Sequence, residues 1–472
     1  MGYSHHERLS ALDASFLRLE DENSHMHVGS VALFDAAPLT REDGGLDIET
    51  IRRMIENTLR RMPRYRQRLA WVPLLGHPVW VDDARFNLHY HLRHIALPAP
   101  GNDRQLKRTA GQVLAQALDR SKPLWELWIV EGVAGNRFAI VTKAHHCMVD
   151  GIAAAELVGS AMAVGPDAAI PRARRGLPRP APGPFDLLLA EIGYHARGGI
   201  AAARAIRRAL RHPRGALTSA WDGALGLRDV IRAGVHRASP TPINVALGPH
   251  RRFDWVRFEL ADVKEVKSQL GGTVNDVVLA VATGALRRFL RGRGVRVEDL
   301  DFRAMIPVNV RTEDDPRDVG NRIVMVVARL PIDEAEPRTR LERVIDTTRE
   351  LKASRQARGL ALIEELSDWT VASLFVQFAQ LVARFGPFNV VVTNVPGPQR
   401  RAYLLGSPLL EVYPLVPLYR NQDVGIALFS YDGGLYWGLN ADWDSVPDLH
   451  DLVGALVREF EALRKASAEP RA

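Results

Sequence analysis

"AHHCMVDG", Ala144 to Gly151, puts two histidines, the only cysteine and an aspartate into eight positions. It follows the β-rich run "RFAIVTKAHH" and precedes "IAAAELVGSAMA", a good helix, so it lies where a strand gives way to a helix. Successive side chains of an extended segment point to opposite faces, so His145 and His146 are poorly placed to grip one metal ion. Two readings remain open for the pair: core imidazoles held by hydrogen bonds, or one histidine held at a strand end facing a cleft. In the second case Asp150 and Gly151 make a tight reversal, with the carboxylate fixing the loop. An imidazole with a reference pKa near 6.5 is largely neutral at pH 7 and can take a proton from a hydroxyl or thiol. Cys147 is a further candidate nucleophile, although a lone buried cysteine is more often inert packing.

Working outward, 472 residues exceed one ordinary core and fit two sizeable domains. Residues 1–170 read as a mixed α/β domain, with a strand at "HVGSVALF" and helical spacing from Ile48 through Leu59. Residues 171–243 form a basic segment. Its start, "PRARRGLPRPAPGP", carries five prolines and reads as an exposed linker. Beyond it, Leu189, Ile192, Ala196, Ile200, Ala203, Ile206 and Leu210 recur three or four apart while Arg197, Arg204, Arg208 and Arg211 share another side, the pattern of a basic amphipathic helix. Such a helix either packs on the protein with a solvated arginine face or lies on an anionic lipid surface.

Residues 244–472 read as a second α/β domain. "GGTVNDVVLAVATGALRRFL" is a helix with Thr273 as N-cap, and "DVGIALFSYDGGLYWGLNAD" is two strands around a turn at Asp432, Gly433 and Gly434. Further strands are expected at "DFRAMIPVNVR", "RIVMVVARLPI" and "FNVVVTNVPG", and a closing helix from about Val446 to Leu463.

The net charge of +7 is concentrated: Pro171 to Pro240 holds thirteen arginines, no lysine and four acids, a local charge of +9. The remainder is near neutral, so the charge does not argue for nucleic-acid binding. One cysteine excludes a disulfide framework and suits a reducing cytoplasm. The first residues lack an apolar export signal, and no apolar run reaches the roughly 18 residues of a membrane span. Membrane contact is therefore expected to be peripheral, and nothing in the sequence signals an oligomeric state. G-x-S-x-G, the G-x-x-x-x-G-K-[ST] phosphate loop, H-E-x-x-H and a strand-linked G-x-G-x-x-G are all missing, which weighs against serine-nucleophile, NTP-hydrolysing and dinucleotide chemistry.

H-H-x-x-x-D-G resembles the active-site motif of the CoA-dependent acyltransferase superfamily. "RLSALDASFLRLED", "MHVGSVALF", "PLWELWIVEG", "TVNDVVLA", "PVNVR" with "GNRI", and "NVVVTNVPGP" look like the ordered signature blocks of the bacterial wax ester synthase/diacylglycerol acyltransferase family, from Leu9 to about Leu463. The resemblance implies two chloramphenicol-acetyltransferase-like domains with a tunnel between them. Fatty acyl-CoA is then a co-substrate and no cofactor or metal is needed. The acceptor is diacylglycerol or a long-chain alcohol, the setting the cytoplasmic face of a membrane or a lipid droplet. In that scheme His146 is the general base, His145 supports it, and Asp150 with Gly151 is architectural, Asp150 pairing with an arginine for which Arg311 is the candidate. Pro123, Leu124 and Trp125 are expected to pack against the histidine strand or touch the acyl chain. Asn275 and Asp276 divide between starting a helix and shaping the tunnel, and Asn394 is a candidate hydrogen-bond donor near the reaction centre. Two alternatives share much of this pattern: a superfamily enzyme acting on a polyketide or glycolipid alcohol or using a carrier-protein donor, and a lipid-binding protein without catalysis.

Overall fold

The histidine motif ends an inner strand of a six-stranded sheet, and that position follows from how the first half of the chain folds. The computed structural model describes residues 5–148, 178–211, 236–309, 323–353 and 386–469, with a few positions between 159 and 165. Asp150, Gly151 and Arg311 lie outside the described residues. In chain order the first half forms β1 (His6–Arg8), α1 (Ala11–Leu19), β2 (His27–Asp35), α2 (Ile48–Leu59), β3 (Gln67–Trp71), β4 (Pro78–Asp82), α3 (Leu88–His91), β5 (Leu92–Ala96), α4 (Asp103–Ala115), β6 (Trp125–Val133), β7 (Arg137–His145) and α5 (Pro184–Arg211). The second half forms β8 (Arg251–Glu259), α6 (Leu260–Leu270), α7 (Val274–Gly292), β9 (Arg303–Asn309), β10 (Ile323–Arg329), α8 (Pro337–Ala353) and β11 (Val390–Pro396). It continues through β12 (Tyr403–Leu404), β13 (Ser407–Leu415), β14 (Val424–Tyr431), β15 (Gly434–Asp442) and α9 (Leu449–Ala468).

The first large sheet has the order β12-β13-β2-β7-β6-β5 and the second β10-β9-β11-β14-β15-β8; β1, β4 and β3 make a small third sheet. Both large sheets are mixed: β5 runs parallel to β6, and β11 runs parallel to both β9 and β14. Each has its own apolar core. Phe34, Ile51, Leu106 and Ile140 belong to the first, and Leu286, Val326, Leu439 and Phe460 to the second. Helix α7 is buried from Asp276 through Arg287 because α6, α8 and α9 pack against it and it shares the second core with sheet residues such as Val326 and Leu439, which accounts for its apolar composition without a membrane. The fold is the mixed α/β, two-domain architecture that the sequence suggests.

Sheet membership does not follow the division between residues 1–170 and 244–472. By chain position β12 and β13 belong to the second half, yet β13 pairs antiparallel with β2, Leu415 opposite Gly29 and Val412 opposite Ala32. Apolar patterning marks a strand but carries no label for its neighbour. The second unexpected join is between α4 and β8. Gly111 lies so close to β8 that an added Cβ would sit 2.6 Å from the Arg251 carbonyl oxygen. Beside it, Lys107 pairs with Asp254 at 2.5 Å and lies over the Trp255 ring.

Candidate active site

The end of β7 is fixed from both neighbouring strands. Ala144 registers with Val28 of β2 and Trp125 of β6, and His145 with His27. The His145 amide donates to the Leu124 carbonyl at 2.9 Å and the His146 amide to that of Met26 at 2.7 Å. A 3-10 turn, His146–Met148, then takes the chain away from the sheet.

His145 is fully buried, and its Nδ1 accepts the Cys147 amide at 3.1 Å. With Nδ1 occupied as an acceptor, the ring proton belongs on Nε2. Nε2 faces Glu20 Oε1 at 3.3 Å. Glu20 caps the C-terminal end of α1. It accepts the Met26 amide at 3.0 Å and Arg120 at 2.5 Å. Burial alone would raise the Glu20 carboxyl, but the His145 ring and Arg120 outweigh it and hold it well below the usual carboxylate range. His27 lies at the edge of the same group, Nε2 4.0 Å from Glu20, and burial pushes it well below an ordinary histidine.

His146 meets different partners. Phe16 of α1 stacks on its ring with centroids 4.0 Å apart. Burial pushes its pKa down to about 4, with a hydrogen bond to its own backbone acting the other way. The imidazole is therefore neutral at pH 7 and able to accept a proton. Cys147 is buried and free, and burial pushes its thiol well up, which keeps it protonated and a poor nucleophile.

Pro123, Leu124 and Trp125 are buried against β7. Trp125 donates from Nε1 to the Tyr65 carbonyl at 2.8 Å and stacks on His91, so its ring is committed to the core. In the second domain, Asp276 closes a capping box with Thr273 at the start of α7 and accepts the Thr348 hydroxyl of α8 at 2.7 Å. Asn275 is half-buried in the same turn, and Asn394 is half-buried on β11 opposite Leu428. The structure thus brings Leu124 and Trp125 directly to the histidine strand. Asn275, Asp276 and Asn394 lie on the second domain. A cavity of about 710 Å³, lined by Arg68, Asp82, Tyr90, His91 and Lys122 among others, involves neither histidine of the motif.

The loop between Glu20 and Met26 joins the two domains beside the histidines. Arg251 of β8 donates to the Asn23 carbonyl, Ser24 Oγ donates to the Leu418 carbonyl at 2.8 Å, and Arg420 pairs with Asp21 at 3.3 Å.

Residues 9–278 match the family model described as the wax ester synthase/diacylglycerol acyltransferase catalytic domain, and residues 319–464 match its C-terminal domain. The chain belongs to the wax ester synthase/diacylglycerol acyltransferase family. A putative diacylglycerol O-acyltransferase of Mycobacterium tuberculosis is 32% identical over 99% of this chain and 92% of its own. A probable diacylglycerol O-acyltransferase of the same organism, tgs1, is 32% identical over 96% of this chain and 94% of its own. Among solved structures, the wax ester synthase/diacylglycerol acyltransferase from Marinobacter aquaeolei VT8 superposes with a TM-score of 0.66 at 25% identity, over 98% of this chain and all of that one. The first condensation domain of the CDA synthetase shares the fold, at a TM-score of 0.58 and 18% identity over 99% of this chain and 98% of its own.

Within this wax ester synthase/diacylglycerol acyltransferase chain, motif reading misses Phe16, Glu20 and Arg120. Phe16 and Glu20 are four apart on one face of α1 and its cap, inside the block "RLSALDASFLRLED". That spacing is the one signal in the sequence for a shared target. Arg120 has none, because its partner is a hundred residues away.

Proposed function

We infer that the chain is an O-acyltransferase that moves the acyl group of a fatty acyl-CoA onto the hydroxyl of diacylglycerol or a long-chain alcohol, giving triacylglycerol or a wax ester and free CoA. The observation that carries this reading is the neutral His146 imidazole at the end of β7, in a chain matched from residue 9 to 278 by the family's catalytic domain. His146 takes the hydroxyl proton as the oxygen attacks the thioester carbonyl. The tetrahedral intermediate then collapses, the C–S bond breaks, and the imidazolium returns the proton to the departing thiolate. Transfer is direct: the protonated Cys147 gives no support to an acyl-enzyme. No metal or bound cofactor enters this scheme.

His145 acts one step back, holding the turn at Cys147 with Nδ1 while Glu20 faces its Nε2. The acyl chain and acceptor reach the base through a tunnel between the domains. The enzyme works peripherally, at a cytoplasmic membrane face or lipid droplet where acceptor and product reside; among the described residues no helix is long and apolar enough to cross a membrane.

The test is a mass-spectrometric product assay with palmitoyl-CoA and a mixture of hexadecanol and diolein. His146→Ala is expected to lower kcat by about 10²–10⁴-fold and His145→Ala by less. Near-parental ester synthesis by His146→Ala would overturn the assignment of the base. A parallel arm with an acyl carrier-protein donor separates CoA-dependent transfer from carrier-dependent transfer.

A further inference from the structure

Among the described residues, the small sheet and the helix packed on it leave an apolar surface uncovered. In the turn joining β3 to β4, Leu74 is 94% exposed, and Leu75 and Trp71 are exposed beside it. An almost fully exposed leucine projects from the surface instead of lining a groove. The turn is well formed: the Val72 amide donates to the His77 carbonyl and the Gly76 amide to that of Val72, both at 2.9 Å. Leu74 has a φ of +67°, in the left-handed region that costs a leucine free energy and favours glycine or asparagine. A strained leucine pointing into solvent does nothing for the fold that glycine would not do better.

Helix α5 has the same character. It packs on Val72, Val79 and Val81 through Leu187, and the ion pairs Arg8–Glu191, at 3.2 Å, and Arg179–Asp82, at 3.3 Å, tie the segment down. Phe185, 69% exposed, recurs with the exposed Leu189 and Ile192 at spacings of four and three, forming one stripe away from the packed side. From Ile192 to Arg211 the helix carries five arginines and no acid. Turn and helix thus belong to one packed unit, and α5 adds a net charge of +3, five arginines against Asp186 and Glu191.

We propose that the 71–76 turn and α5 form the surface by which the protein docks on an anionic phospholipid membrane. Leu74 and Leu75 enter the acyl-chain boundary, the Phe185–Leu189–Ile192 stripe lies along it, and the exposed Arg197 and Arg207 meet headgroup phosphates. The positive charge selects the phospholipid headgroup over an apolar protein partner. The proposal rests on the lipid-substrate reading above and locates where that lipid is met.

The full-length protein is sedimented, without substrates, with vesicles of phosphatidylcholine alone or of equimolar phosphatidylcholine and phosphatidylglycerol. Stronger binding to the anionic vesicles, weakened by salt, is expected. Leu74→Ser with Leu75→Ser should weaken partitioning by about tenfold or more while circular dichroism and the thermal midpoint stay unchanged. Arg197→Gln with Arg207→Gln should reduce binding to the anionic vesicles only. Equal partitioning of the parent and the leucine variant, equal binding to both vesicle types, or binding to neutral-lipid droplets alone would each overturn the proposal. Because binding is read without turnover, a chain inactive in ester synthesis still reports on the surface.

Discussion

Glu20 holds three things at once: the Met26 amide that precedes the histidine cluster, Arg120, and the Nε2 face of His145. Glu20→Gln keeps the volume and removes the charge. It should lower kcat by about tenfold, the scale of one positioned hydrogen bond worth about 1.4 kcal/mol, with KM little changed. Because the folded carboxyl sits below its ordinary value, its ionisation stabilises the fold above about pH 4.3, and that contribution is lost as pH falls further. Thermal midpoints in a pH series should therefore show Glu20→Gln below the parent at pH 7, with the gap narrowing in acid. His146 sets the other profile. With its pKa near 4, kcat/KM should stay level from neutrality down to about pH 5 and fall as the ring protonates through 4. A fall centred near 6.5 would contradict the lowered pKa of this imidazole. At this scale, the histidine pair and the strand-end geometry are legible in "AHHCMVDG", because neighbouring residues on one strand must diverge. Arg120 is not legible, since a partner a hundred residues away leaves no local trace.

Among the elements, α7 is the one whose start is most fully written in the sequence. Thr273 and Asp276 stand three apart and satisfy each other's amides. Asp276→Ala should cost about 1–3 kcal/mol in urea unfolding, since the carboxylate also holds Thr348, while leaving the pH profile of the remaining activity in place. The hairpin turn is equally local: Asp432 and Gly433 both have positive φ, as a two-residue turn between antiparallel strands requires. Helix α5 runs unbroken through Gly198 and Gly199, although glycine inside a helix costs about 1 kcal/mol relative to alanine. What an element packs against is harder to read. In an isolated helix Gly111→Ala would stabilise by about 1 kcal/mol, but here the added methyl meets the Arg251 carbonyl across the α4–β8 join. The expected sign is reversed, a loss of about 1–3 kcal/mol in the same unfolding measurement. Helix propensity is local to α4; the neighbour that overrules it is supplied by residue 251.

At the scale of the molecule, two α/β domains with separate cores are legible from length and from the interleaving of strand and helix patterns. The exchange of β13 is not, because pairing partners more than 370 residues apart leave no mark on either strand's composition. That exchange bears on how the protein comes into being. Until Ser407–Leu415 has been synthesised, β2 has nothing on one side, and its row of free amides and carbonyls is a template for another chain. Residues 1–243 expressed alone should therefore collect in the insoluble fraction, and residues 244–472 supplied in trans should return them to solution. The seam works as a completeness check: a nascent chain is left with an open, aggregation-prone edge beside its histidines until nearly nine-tenths of it has emerged, which makes chaperone protection during synthesis part of what this fold demands.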